Sequence, residues 1–258
     1  MPILTTEPPA VADSPSRARA WETLWRLSAL ALGYPVPEFH AALVSGAYRE
    51  ALDDAWMRAT GDEAPTAAGE TGDFTAFEAG YISAFLHGRN GRPVASLMAG
   101  EHQAVLDGLS RPVFMLNLSA FYRHFGLRAA TGDEGRRDEP DHAASLMEFM
   151  AVLCHLEAGA LEHNRDAAPA RRAQRDVLCR FLGPTLATVA VQLRERSDHD
   201  LDPTLAALIP ALASQARRRV TDLERAVGPF RDPESETAPD SREQDPREQD
   251  SRETGEAP

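Results

Sequence analysis

Apolar residues near the start of the chain recur at intervals of three and four. Trp21, Leu24, Trp25, Ala31 and Leu32 fall on one face, and Gly33-Tyr34-Pro35 closes the run. The spacing predicts an amphipathic helix from about Ser16. Shorter patterns of the same period predict helices at 37–45 and 47–59, before a Gly, Thr and Pro-bearing loop from Gly61 to Gly72. Asp73 stands where it can cap a helix carrying Phe74, Phe77, Tyr81 and Phe85 on one face, and Gly88-Arg89-Asn90-Gly91-Arg92-Pro93 ends it. A further helical stretch is expected at 97–109. Ser110 and Pro112 then open another, with Leu118, Phe121, Tyr122 and Phe125 ahead of Gly126.

Periodicity lapses at 130–138, a polar, glycine-bearing stretch that reads as a linker between subdomains. A long helix is expected from Glu139-Pro140-Asp141, with acids and a proline in its first turn and Leu146, Phe149, Met150 and Leu153 on its apolar face. Gly183-Pro184 should separate helices at 169–182 and 184–196, and Asp202-Pro203 should start a last one that Pro210 kinks before it ends near Val227. The expected architecture is all-α, one globular domain of about nine helices in two subdomains, 16–129 and 139–230, joined by 130–138. Residues 1–15 and 231–258 are expected to be disordered.

Composition agrees with helices. Apolar residues make up 43% of the 258 residues, aromatics only 7%, and Ala and Leu outweigh the β-branched and aromatic types that sheets favour. The net charge of −13 argues against nucleic acid or anionic lipid as a partner. Residues 231–258 contribute −6 of it, from four Arg against ten Asp and Glu, so the body keeps −7. Cys154 and Cys179, far apart in sequence, suggest neither a disulfide framework nor a thiolate zinc site. No cleavable leader is recognisable and no membrane-spanning stretch is expected, so the reading is a soluble protein of the cytoplasm.

Catalytic patterns are hard to find. The chain lacks a Walker loop, a dinucleotide fingerprint and a Gly-x-Ser-x-Gly elbow. His142, His155 and His163 lie near Glu148, Glu157 and Glu162, but no pair among these six has the Glu-x-x-His spacing of a bundle metal site. A metal-dependent hydrolase using His155 and His163 is therefore the alternative to a binding protein, and a helical scaffold the third reading. Cys154 and His155 are neighbours on a helix and point about a hundred degrees apart, which does not suit a nucleophile and its base.

Asp138-Glu139-Pro140-Asp141-His142, followed by Ala143-Ala144-Ser145-Leu146-Met147-Glu148-Phe149-Met150, resembles the signature of the TorD/DmsD/NarJ family of redox-enzyme maturation chaperones. Phe121-Tyr122-Arg123-His124-Phe125-Gly126-Leu127 is similar to that family's segment ahead of the linker, and the likeness extends over about 18–228. Where many members carry a Pro-Tyr-Glu-Ser type motif, this chain reads Arg92-Pro93-Val94-Ala95-Ser96-Leu97. That departure points to the subgroup serving type II enzymes of the dimethyl-sulfoxide reductase superfamily, or to the nitrate-reductase relatives.

The resemblance implies a non-enzyme without a permanent cofactor. Its client would be the precursor of a catalytic subunit that carries molybdopterin, bound in part through a twin-arginine leader peptide. The resemblance also implies a monomer or a domain-swapped homodimer. Tyr122, Phe125 and Leu127 would line an apolar groove, while Glu139, Pro140, Asp141 and His142 would form its polar edge, the two acids meeting client arginines.

Overall fold

The computed structural model describes residues 14–88, 91–127, 139–196 and 200–231. The linker 130–138, most of the N-terminal segment, the tail beyond Arg231 and the loop residues Arg89 and Asn90 lie outside the described residues. Helix α1 (Pro15–Leu32) begins one residue before the expected start, with Pro15 at its first position and the Ser14 hydroxyl accepting from the Arg17 amide. It is followed by α2 (Pro37–Val44), α3 (Ala47–Thr60) and α4 (Phe74–Phe85), the last capped by the Asp73 carboxylate on the Ala76 amide as its sequence predicts.

The stretch 97–109 is not one helix. Met98 is extended, a single 3-10 turn covers Ala99–Glu101, and α5 (Gln103–Leu106) has four residues. Asp107 and Gly108, with φ of +46° and +83°, turn the chain into α6 (Arg111–His124). Helix α7 (Ala143–Glu162) starts four residues later than expected, because Leu97 to Ala99 captures the backbone of Asp141 and Ala143 in an antiparallel bridge.

Gly183-Pro184 does not break the chain into two helices either. Ala168–Glu195 is continuous, and we label it α8. Pro184 has no N–H for the Arg180 carbonyl and its ring would crowd that oxygen. A π-turn at Leu178–Leu182 absorbs the mismatch, with the Gly183 amide donating to the Leu178 carbonyl. A side chain at Gly183 would place its Cβ 2.4 Å from that same oxygen. Helix α9 (Pro203–Val227), capped by Asp202, runs on through Pro210. Nine helices and no strand are found among the described residues, an all-α fold.

One hydrophobic cluster takes residues from both sides of the linker. Helix α1 makes its broadest contact with α7, and α8 packs on both α7 and α9. Trp21 and Trp25 are buried and stacked, ring centroids 5.8 Å apart. The core also holds an ionic knot. Glu157 of α7 accepts from Arg171 at 2.7 Å and from Arg219 and Gln174 at 2.8 Å, while the Arg219 guanidinium lies over the Trp21 ring. Burial pushes the Glu157 carboxyl up, but Arg219, Gln174 and Arg171 outweigh it and hold its pKa below the ordinary value.

By length and composition, Ala143–Glu162 and Ala168–Glu195 would both pass for membrane spans, contrary to the expectation that none would. In the fold their apolar faces are occupied. Leu146, Met150, Leu153, Val177 and Leu186 are wholly or almost wholly shielded in the shared core.

Candidate functional site

The chemistry suggested by the sequence converges on the turn that feeds α7. Glu139 and Pro140 form its corner, the His142 amide donates to the Glu139 carbonyl, and the Tyr122 hydroxyl donates to the Pro140 carbonyl at 2.7 Å. The Ala99 amide donates to the Asp141 carbonyl and the Ala143 amide to the Leu97 carbonyl, at 2.9 and 2.8 Å. The turn is therefore held from α6 on one side and from Leu97 to Ala99 on the other.

Asp141 has the side chain least like its expected role. Its carboxylate is fully buried, accepts from the Gly100 amide at 3.0 Å, and lies 3.9 Å from the Arg111 guanidinium. Burial pushes its pKa up, and the Gly100 amide and Arg111 pull it part of the way back. Facing inward, this acid cannot meet a client arginine at the surface. It fastens the turn to the 3-10 segment instead.

His142 is the N-cap of α7, with Nδ1 accepting from the Ala144 amide at 3.1 Å. That bond requires the neutral ring with its proton on Nε2. Burial lowers its pKa, against a smaller opposing effect of Glu139.

His142, Glu139 and Glu148 line one wall of a cleft of about 320 Å³ between the start of α7 and the end of α1. The opposite wall is Leu30, Tyr34, Val36 and Phe39. Leu30 is 59% exposed and Tyr34 50%, so the cleft offers an apolar wall facing an acidic rim. The Tyr34 hydroxyl donates to Glu78, which steadies the ring.

Tyr122, Phe125 and Leu127, expected to line the groove, are not among the residues of this cleft. Tyr122 is buried with its ring 4.7 Å from Phe149, burial raising its pKa, while Phe125 and Leu127 are half-buried against the core. Leu30 and Tyr34 are the wall residues that sequence reasoning misses. Leu30 lies off the buried stripe of α1, a large apolar residue on a face that packing does not need, and that is the available signal.

The histidines of the alternative reading are engaged elsewhere. His155 Nδ1 lies 3.2 Å from Glu22 of α1, and His163 bonds the Gly159 carbonyl of its own helix. Among the described residues no group of three or more His, Cys, Asp or Glu is arranged to hold a metal ion.

Residues 42–189 match the nitrate reductase delta subunit family. The chain is 51% identical to the dimethyl sulfide dehydrogenase assembly chaperone protein of Rhodovulum sulfidophilum, over 93% of its own length and 97% of that protein's. It is 37% identical to the selenate reductase assembly chaperone protein of Thauera selenatis, over 51% of this chain and 63% of the relative. Identity to the chlorate reductase assembly chaperone protein of Ideonella dechloratans is 32%, over 60% and 77% of the two chains. No solved structure matches it at a significant level.

Proposed function

Because the chain belongs to the nitrate reductase delta subunit family, of the TorD/NarJ type, we propose that it is the assembly chaperone of one molybdopterin-dependent oxidoreductase. It binds the catalytic-subunit precursor in the cytoplasm while the cofactor is inserted and the complex assembled. The observation that carries this reading is the 51% identity to an assembly chaperone along almost the whole of both chains. The same likeness favours a client of the dimethyl sulfide dehydrogenase kind.

The cleft between α1 and α7 suits one part of such a client, a leader segment that joins arginines to an apolar run. The apolar side chains lie on Leu30, Tyr34 and Phe39, and the guanidinium groups meet Glu139 and Glu148 in charge-assisted hydrogen bonds. His142 offers its Nε2 proton to a peptide carbonyl. Asp141, Pro140 and Tyr122 act one step back, fixing the turn that presents Glu139 and His142, while Phe125 shares the Phe149 ring with Tyr122 and the Leu127 amide donates to the Tyr122 carbonyl.

The test is affinity capture of the full chain from its host, with the captured subunits identified by mass spectrometry, beside titration with the client's synthetic leader peptide. A molybdopterin-binding catalytic subunit should be recovered. Glu139→Gln with Glu148→Gln should weaken peptide binding by about tenfold or more, the loss of one or two charge-assisted bonds. Repeated capture without any such subunit overturns the chaperone reading. Unchanged peptide affinity in the double variant moves the leader site away from this cleft.

A further inference from the structure

The cleft between α1 and α7 is bounded by charge at both ends, and the ends differ in sign. Glu139 and Glu148 stand by the first turns of α7. Past Leu30, one turn back along the same outward face of α1, comes Arg26, its side chain 61% exposed. Arg26 bonds Glu22 at 2.9 Å, and Glu22 in turn lies 3.2 Å from His155 Nδ1, so the pair leans over the line where α1 meets α7. Arg19 completes the crossing, donating to Glu22 at 3.0 Å and to Glu162 of α7 at 3.0 and 3.1 Å. These side chains bridge the two helices just beyond the cleft.

Burial decides which of these charges a ligand meets first. The Glu22 side chain is only 11% exposed and is shared between the guanidinium groups of Arg19 and Arg26, while Arg26 stands out into solvent. A segment lying in the cleft therefore finds carboxylates at the Glu139 end and a cation past Leu30, where the carboxylate behind that cation is already occupied.

We propose that Arg26 is a specificity-determining residue of this cleft: it turns away segments that carry a cation beyond their apolar side chains and favours those with a carboxylate or an uncharged residue there. The proposal rests on the reading of the cleft as a leader site. Glu139 and Glu148 select for arginines at one end, Arg26 selects against them at the other, and together they fix the direction in which the segment lies. Gly33, which lines the cleft, and Arg26 are seven residues apart along α1. That is about 10 Å of helix, which roughly three residues of extended chain span.

Synthetic peptides test this, each with an arginine pair followed by apolar residues and with Lys, Gln or Glu placed third, fourth or fifth after the pair. Affinities are measured with the full chain at low ionic strength, where exposed charges are least screened. At one spacing at least, the Glu peptide should bind about three- to tenfold more tightly than the Lys peptide, the size of an exposed attraction and an exposed repulsion taken together. Arg26→Gln should reduce that ratio to about twofold or less, and Arg26→Glu should invert it. Arg26 is exposed enough for both variants to fold, which thermal melting checks.

Glu139→Gln with Glu148→Gln should weaken every peptide and leave the ratio in place. Equal affinities for the Lys and Glu peptides at all three spacings overturn the proposal. A preference for Glu that persists in Arg26→Glu also overturns it, because another charge then makes the choice. Either result leaves the leader reading standing where the double variant still weakens binding. If no peptide binds, or the double variant weakens none, the leader reading falls and takes this one with it.

Discussion

Gly100→Ala probes the fastening of the α7 turn with one methyl group. Gly100 is buried in the 3-10 turn at an ordinary φ, so alanine meets no backbone penalty there. The added Cβ would lie 2.9 Å from Asp141 Oδ2 and 3.3 Å from Arg111 Nε. Arg111 is long and half exposed and gives way easily. The carboxylate has no free direction, because its other oxygen is already buried without a partner.

Relieving the clash stretches the 3.0 Å bond from the Gly100 amide, a bond to a charged acceptor worth about 1.5–3 kcal/mol. For a chain of this size that is a fall in Tm of about 3–12 °C. Asp141→Ala alone should cost about 1–3 kcal/mol, since it orphans the buried Gly100 amide. In that background the methyl meets no carboxylate, and Gly100→Ala should cost less than about 0.5 kcal/mol. Urea unfolding of the four proteins, with unchanged m values, measures the coupling. Equal costs of Gly100→Ala in both backgrounds refute the fastening role of Asp141.

Other perturbations reach the remaining contacts. Arg219→Met removes one of the three donors to Glu157, which keeps Arg171 and Gln174, and should destabilise by about 1.5–3 kcal/mol in denaturant melts. Glu157→Gln should flatten the acid limb: its folded pKa is depressed, so its stabilisation is present above the ordinary value of 4.5 and is lost as pH falls through the folded pKa. His142→Asn keeps an N-cap acceptor while removing a titration; the folded pKa of His142 is lowered, so wild-type stability should decline as pH falls below 6.5 and the variant's should not, by melts from about pH 7.5 to 5. Gly183→Ala should cost about 2 kcal/mol or more by collision with the Leu178 carbonyl, and Pro184→Ala should restore most of it by letting α8 rewind, read by circular dichroism melts.

Local signals are legible in the sequence and long-range ones are not. The cap at Asp73, the start at Asp202-Pro203 and the stop at Gly33 depend on residues a few positions apart, and each stands where its sequence places it. The start of α7 escapes sequence reasoning because Glu139-Pro140-Asp141 has the composition of a helix first turn, while its backbone is claimed by Leu97 to Ala99, some forty positions upstream. Gly183-Pro184 looks like a break, and only the packing of α8 on α7 and α9 makes a π-turn the better solution. The cleft divides in the same way. Its polar rim is visible in part as Glu139 and His142, and its apolar wall is hidden because Leu30 and Tyr34 reach it by the docking of α1 on α7.

That docking also sets a timetable. Helix α1 leaves the ribosome well before its broadest partner, α7, which is complete only at Glu162, 130 residues after Leu32. At about 5–20 residues per second, the face bearing Trp21 and Trp25 waits roughly 6–26 s for its cover. During that interval the nascent chain displays the kind of apolar helix surface that general chaperones bind. A protein that shelters another's precursor thus begins its own life in need of shelter, and synthesis rate between the linker and Glu162 becomes a lever on its yield.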